Sequence, residues 1–304
     1  MRFKRFDLNL LLALDVLLKE QSVSQAARQL NLSQPAMSAA LGRLREYFND
    51  PILVAYGKKM LPTAHAQGLA PMVTKLLTDI DALISASTVF DPATSQRTFR
   101  VCASDYVTTV LLAPLLADLA KEAPGVRIQI STPDDEALGK LEQGETDLLL
   151  VPESFTSKDH PSKLLFEERH VVVGCKNNPI FRRPLTREAF FAAPHIAVTL
   201  SHQQTFAEDQ LRVLGPRRIE MVAPSFLAVP WMLPNTHRLA VMHERLARIM
   251  VGKLPLRLAP LPFPFPVMRE MAQYHATRET DGGVQWLLKR MLEHAAVVRE
   301  ALAN

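Results

Sequence analysis

Cysteine is nearly absent: two in 304 residues, Cys102 and Cys175. Both lie in apolar runs, RVCAS and VVVGC, so the expectation is a pair of buried, reduced thiols rather than a disulfide framework. No stretch approaches the ~18 apolar residues of a membrane span. MRFKR followed by LNLLLALDVLL imitates a signal peptide. However, Asn9 and Asp15 interrupt the apolar run, and no small-residue cleavage site directly follows it. Leu8, Leu11, Leu12 and Val16 fit an amphipathic helix instead, and a cytoplasmic protein is expected. Also missing are G-x-S-x-G, H-E-x-x-H, C-x-x-C and any glycine-rich phosphate loop, which argues against an enzyme and predicts no cofactor and no metal site.

The charge that is present is unevenly placed. Residues 1–63 carry nine Lys/Arg against five Asp/Glu, an excess that accounts for the whole net charge of +4. A basic first fifth followed by a neutral remainder suits a polyanionic partner for the N-terminal part. The length suits two or three domains.

The segment SVSQAARQLNLSQPAMSAALGRLREYF, residues 22–48, reads as two helices around a tight turn. A helix over 7–20, with Asp7 as N-cap, precedes them. The first of the pair covers about 24–30, with Ala26, Ala27 and Leu30 inward. Asn31 stands where a helix end needs a left-handed backbone, and Ser33 caps the next helix, about 34–48. Pro35 is tolerated in that first turn. Met37, Leu41, Leu44 and Phe48, spaced 4, 3, 4, form the buried stripe. Pro35, Ser38, Ala39 and Gly42 fall on the opposite side, with Arg43 flanking. A helix that enters the major groove must approach base edges closely, and small side chains allow it. Ser33, Gln34, Pro35, Ser38, Ala39, Gly42, Arg43, Lys58 and Lys59 are therefore the candidate DNA contacts. Gln34 suits an adenine, Ser38 a base or a phosphate, and the cations suit phosphates, which give affinity rather than sequence information. With the hairpin expected around Tyr56–Lys59, the unit is a winged helix-turn-helix. The competing reading is an ordinary three-helix subdomain with a small-residue surface.

Residues 63–86 read as a long helix with an apolar seam at Ala66, Leu69, Val73, Leu76, Ile80 and Leu83. Either it pairs with a second copy or it packs on its own domain; Pro71 predicts a kink. Beyond it, strand-like runs at 99–104, 126–132, 146–151, 169–175, 195–200, 218–223, 238–242 and 256–261 alternate with helical candidates at 107–121, 134–143, 186–192, 204–214, 226–233, 243–251 and 280–302. That alternation predicts mostly parallel sheets flanked by helices, arranged as two lobes, with a small molecule held beyond strand C-terminal ends.

FDLNLLLALDVLLKEQSVSQAARQLNLSQPAMSAALGRLREYFNDPILV, followed by LPTAHAQGLAP, resembles the N-terminal region of LysR-type transcriptional regulators. The likeness is strongest to the subgroup of nodulation-gene activators and salicylate- and nitroarene-responsive regulators. It is dense over residues 6–72 and looser through RFRVCASDYVT, GETDLLLVPE and VVVGC. The resemblance implies a winged helix-turn-helix over 1–62, a dimerising linker helix over 63–88, and a periplasmic-binding-protein-like effector domain over 89–304. Lobe one would span about 97–165 and 267–304, and lobe two about 166–266. It further implies a homodimer or homotetramer that bends double-stranded promoter DNA and recruits RNA polymerase, with an effector between the lobes. Ala39 departs from the pattern, since many members carry a basic residue there.

On that resemblance, Ser104, Asp105, His170, Thr199, His202 and Phe226 are the candidate effector contacts. Ser104 and the backbone N–H groups after it suit an anionic or phenolic oxygen, while Asp105 is equally readable as a helix cap. With no Lys or Arg obvious at these positions, an uncharged phenol or quinone is favoured over an aromatic acid. The expected function is an effector-controlled transcription regulator, usually an activator. An effector-independent regulator and an enzyme with an appended DNA-binding module are the alternatives.

Overall fold

In the computed structural model, residues 7–56, 59–86, 90–201 and 203–300 are described, the side chains of residues 59, 81–86, 203 and 299–300 excepted. Two compact units divide the chain, residues 1–87 and 88–304.

The first unit is built on three short helices: α1 (Asn9–Glu20), α2 (Val23–Gln29) and α3 (Gln34–Phe48). Asp7, expected as the N-cap, stands one residue before the cap position, Leu8, its carboxylate accepting the Asn9 N–H at 3.0 Å. Ser22 and Ser33 cap α2 and α3 by accepting the N–H groups of Gln25 and Ala36. Asn31 takes a left-handed φ of 54° and turns the chain between them. Met37, Leu41 and Leu44 are buried against Leu14, Leu17, Ala26 and Ala27 in one apolar cluster.

A hairpin of β1 (Leu53–Tyr56) and β2 (Lys59–Pro62) follows, with Leu53 opposite Pro62 and Tyr56 opposite Lys59. Its base is tied down twice. Arg45 donates to the carbonyls of Pro51 (2.8 Å) and Leu53 (3.0 Å). Asp50 accepts from the Ile52 N–H (2.7 Å) and the Thr63 hydroxyl (2.6 Å).

Helix α4 (Ala64–Ala86) carries Pro71 inside it. The seam expected on it is divided. Ala66 and Val73 are buried in the unit's own core and Leu69 packs against it, whereas Leu76 is 43% exposed, beside Met72 at 68%. Thr74 fixes α4 to α1 by donating to Asp15 at 2.9 Å. Leu83 lies outside the described side chains.

In the second unit the chain runs through β3 (Thr98–Ala103), α5 (Asp105–Val107), one π-helical turn (Thr108–Leu112), α6 (Ala113–Glu122), β4 (Arg127–Ser131), α7 (Ala137–Glu142), β5 (Leu148–Pro152) and β6 (Ser162–Glu168). It continues through β7 (His170–Cys175), α8 (Arg187–Ala192), β8 (Pro194–Leu200), the short β9 (Gln203–Gln204), α9 (Phe206–Leu214), β10 (Arg218–Ala223), β11 (Leu239–His243), α10 (Glu244–Val251) and β12 (Leu256–Pro260). It closes with β13 (Met268–Gln273) and α11 (Gly282–Glu300).

These strands form two sheets, in the orders β4-β3-β5-β13-β6 and β10-β8-β11-β7-β12. Each sheet defines a lobe. The chain passes from the first to the second at Arg169, and returns through residues 261–267.

The expectation of mostly parallel sheets is corrected: both are mixed. β4, β3 and β5 run parallel, but β13 is antiparallel to β5 and to β6. In the other sheet β10, β8 and β11 are parallel, while β7 is antiparallel to β11 and β12. The physical reason is the double crossing. The strand that enters a sheet from the other lobe, β13 or β7, runs against the strands built by strand-helix-strand units, whereas β6 and β12, which leave, run with them. β6 and β13, absent from the expected strands, are the crossing segments of the first lobe. A second correction concerns residues 226–233, which form only a short 3-10 turn, Val229–Met232. Pro230 and Pro234 leave no room for a longer helix. Cys102 and Cys175 are buried free thiols, as expected.

Candidate functional site

The outward side of α3 is built from what the buried stripe leaves over. Ser33, Gln34, Pro35, Ser38, Ala39 and Arg43 are all exposed, and Gly42 is half-buried. A Cβ placed on Gly42 would meet no atom within 4 Å, so the space beside it is open rather than filled by a neighbouring element. Arg43 lies 3.2 Å from Asp7 in a solvent-exposed pair. Such pairs contribute little, so the guanidinium can exchange Asp7 for a phosphate at small cost. Lys58 and the side chain of Lys59 lie outside the described residues.

The second candidate site is a cavity of about 270 Å³ between the two lobes. Its first-lobe wall includes Ser104, Leu149 and Phe155, its second-lobe wall Leu200, Phe206 and Phe226, and its floor His243, Met268 and Glu270. The strand C-terminal ends of β3, β5, β8 and β11 supply much of it, as expected of a sheet-edge crevice. Among the described residues no Lys or Arg lines it. Lys140, two residues beyond the lining residue Leu138, is bound to Asp134, and Arg269, between Met268 and Glu270, is paired with Glu153.

Under this cavity lies a buried polar cluster. Tyr106 donates its hydroxyl to Glu168, and Arg245 pairs with the same carboxylate at 2.8 Å. Burial drives the Tyr106 phenol well above its ordinary range, an effect that the neighbouring Glu168 charge increases. His243 stacks on Tyr106 with ring centroids 3.8 Å apart. Its burial holds the imidazole neutral, with a pKa well below the usual value. Burial also raises the Glu270 carboxyl to about 8, and the Glu168 charge adds to the effect.

Of the effector contacts expected from the sequence, Ser104 and Phe226 line the cavity. Ser104 also caps α5, accepting the Val107 N–H at 3.2 Å. Three others stand off its wall. Asp105 does not line the cavity; its carboxylate accepts from Ser225, Phe226 and Leu227 of the other lobe. His170 sits behind His243, their ring centroids 4.9 Å apart, and burial takes its pKa to about 3. Thr199 is held in the β8–β9 pairing, off the cavity wall, because β8 turns back there onto Gln204. His202 lies outside the described residues.

Tyr106, His243 and Glu270 were not anticipated. A signal existed for Glu270. In MREMAQ, Met268, Glu270 and Ala272 share one strand face, which places a carboxylate between two apolar inward positions.

A model of the LysR substrate binding domain matches residues 92–296, and one of the bacterial regulatory helix-turn-helix proteins of the lysR family matches residues 8–67. The chain belongs to the LysR family of transcriptional regulators. As a LysR-type regulator it combines a DNA-binding helix-turn-helix domain with an effector-binding domain, in a family of regulators rather than enzymes.

Among relatives, it is 41% identical to Nodulation protein D 2 of Bradyrhizobium elkanii over 97% of this chain and 90% of that one. To Nodulation protein D 2 of Rhizobium tropici it is 40% identical, over 98% and 96%. A probable transcriptional regulator from Pseudomonas aeruginosa shares the fold with a TM-score of 0.71 at 29% identity, covering 95% of this chain and 97% of that one. Among the described residues no helix is long and apolar enough to cross a membrane.

Proposed function

We propose that this LysR-type regulator reads promoter DNA with α3 and is switched by a small, uncharged aromatic or phenolic compound held between the lobes. The observation that carries the first half is the exposed small-residue side of α3, with open space beside Gly42. Gln34 and Ser38 meet base edges, Arg43 and the wing cations Lys58 and Lys59 meet phosphates, and Ser33, Pro35, Ala39 and Gly42 allow close approach. The second half is supported by a cavity walled by Leu, Val, Phe and Met side chains alongside hydroxyl and carboxyl groups, with no cation among its described lining residues.

The exposed Met72 and Leu76 on α4 support pairing with a second copy, which fixes the spacing of two reading helices. In this account the protein acts in the cytoplasm as a homodimer or homotetramer. It activates transcription, as nodulation proteins D do, and does so through contact with RNA polymerase. The effector acts by preferring one lobe arrangement over the other, which is all that coupling requires.

Gel-shift titration tests the reading helix. Gln34→Ala and Ser38→Arg each abolish specific promoter binding and leave the effector domain folded and responsive. Undiminished specific binding by both variants refutes the assignment.

A further inference from the structure

Two carboxylates and a single guanidinium are buried together beneath the interlobe cavity. Glu168 is fully buried, Glu270 is 2% exposed and Arg245 is 9% exposed. Glu168 takes the Tyr106 hydroxyl and an Arg245 N–H. The same Arg245 Nη1 also donates to the Glu167 carbonyl (2.7 Å), and its Nε to that of Val298 (3.2 Å). Glu270 stands outside this set: among the described residues its carboxyl has no hydrogen-bond partner, and it opens onto the cavity beside Met268 and His243. The pairing of β13 with β6 slips between Glu270 and Met271. The extra residue is Leu165 of β6, so the bend falls on β6 opposite Glu270, and such bulges recur next to functional sites.

A second ionised carboxylate here would be an unpaired buried charge beside a like charge, which is strongly disfavoured. Glu270 therefore holds a proton, and its carboxyl, raised to about 8, presents one donor and one acceptor to the cavity near neutral pH. The groups that face it are few. Glu168 comes from β6, Tyr106 from α5, and His243 and Arg245 from the junction of β11 and α10. Glu153, next to β5, is paired with the exposed Arg269 on the other face of β13. Asp134 and Asp135 line the cavity from beyond β4, and Asp134 is neutralised by Lys140.

We propose that Glu270 is the polar anchor of this cavity, gripping a ring-borne carbonyl or hydroxyl oxygen and selecting an uncharged ring over an aromatic carboxylate or an amine. This rests on the reading of the cavity as the effector site. A carboxylate ligand would find no cation there and would face three acids. An ammonium would have to leave water and displace the Glu270 proton, since Asp134 is already paired with Lys140 and Asp135 lies at the exposed rim, and desolvation at Glu270 offsets the attraction.

Three probes of matched size separate these classes: 2-acetylnaphthalene, 2-naphthoate and 2-(aminomethyl)naphthalene. Each is titrated calorimetrically into the full chain near pH 7 and near pH 9. The ketone binds tightest, and because only the protonated carboxyl donates to it, its affinity falls about tenfold between the two conditions. Glu270→Gln keeps a donor, so it binds the ketone to within about threefold of wild type and loses the pH dependence. Glu270→Leu loses about tenfold near pH 7; should it fail to fold, the Gln variant alone decides.

Tighter binding of the naphthoate or the amine, binding of none of the three, or an unchanged pH dependence in Glu270→Gln overturns the proposal. Ser154→Trp, which fills the cavity from its exposed rim, separates the two claims. If it leaves ketone binding intact, the cavity is not the site. If it abolishes binding while Glu270→Gln still shows the wild-type pH dependence, the cavity stands and the role of Glu270 falls.

Discussion

The carboxylate of Asp105, at the end of β3 in the first lobe, accepts the hydroxyl proton of Ser225 in the second lobe at 2.6 Å. The N–H groups of Phe226 (3.3 Å) and Leu227 (3.0 Å) point at the same carboxylate. One side chain thus organises a turn of the opposite lobe and sets Phe226 against the cavity. Asp105→Ala removes the acceptor for three donors and lowers stability in urea by about 2 kcal/mol. Ser225→Ala keeps the two backbone donors and loses about half as much. Equal losses for the two variants would show that the carboxylate is not the organising group.

Gly42 has room for a side chain, and its helix needs none of glycine's freedom. Gly42→Ala therefore stabilises the DNA-binding unit by about 0.5–1 kcal/mol, because alanine loses less backbone entropy in a helix interior. A thermal melt reads this as a higher midpoint. A lower midpoint would mean that another element occupies the space beside α3.

Gly174 on β7 is the opposite case. A Cβ there would stand 2.8 Å from a ring carbon of Phe181 and 2.9 Å from a methyl of Leu239. Both neighbours are buried in the second lobe's core and cannot swing away. Gly174→Ala costs about 1–3 kcal/mol of stability, measured by denaturant unfolding, through overpacking alone.

Stability peaks near pH 6.5. The buried imidazoles of His170, His195 and His243 stay neutral in the fold, with burial taking the first two to about 3 and about 4. Below their ordinary value the unfolded chain binds these protons and the native state does not, so stability falls as pH falls. Glu270 works in the other direction. From about 4.5 to about 8 the native state holds a proton that the unfolded chain has released, so stability falls as pH rises through that range. Each proton of difference changes stability by about 1.4 kcal/mol per pH unit. Burial raises the Glu168 and Glu208 carboxyls as well, in the same direction. Between about 4.5 and 6.5 the three imidazoles oppose Glu270; above 6.5 they no longer differ between the two states, and Glu270 lowers stability as pH rises. Denaturant midpoints across pH trace the profile, and Glu270→Gln flattens its alkaline side. A wild-type profile that climbs steadily through pH 8 would contradict this assignment.

The N-terminal unit was legible in the sequence because its signals are local. Ser22 and Ser33 cap, Asn31 turns left-handed, and the 4, 3, 4 stripe of α3 points inward as expected. The second unit was legible in its strand-helix alternation but not in its crossings. β6 and β13 are fixed by pairing across about a hundred residues, and Met271 opposite Leu164 has no local signature.

The same limit applied to the cavity. Ser104 and Phe226 sit at element ends, where reasoning about α/β sheets looks for ligands, and they are there. Asp105 looked like a cap because its real partners, Ser225 to Leu227, are far away in the chain. Tyr106, Glu168 and Arg245 come together only when both lobes are in place. The α4 seam showed a helix able to pair, but Ala66 and Val73 prove to be used by the unit's own core.

The most direct test of the account is a footprint of the DNA flanking this gene, made with wild-type protein and with Gly42→Glu. The substitution meets open space and removes a helix-interior glycine, so the variant folds with a melting temperature no lower than wild type, but it places a negative charge where α3 meets the groove. The account predicts a protected site with wild type and none with the variant at the same concentration and salt. Equal protection by both proteins would contradict it.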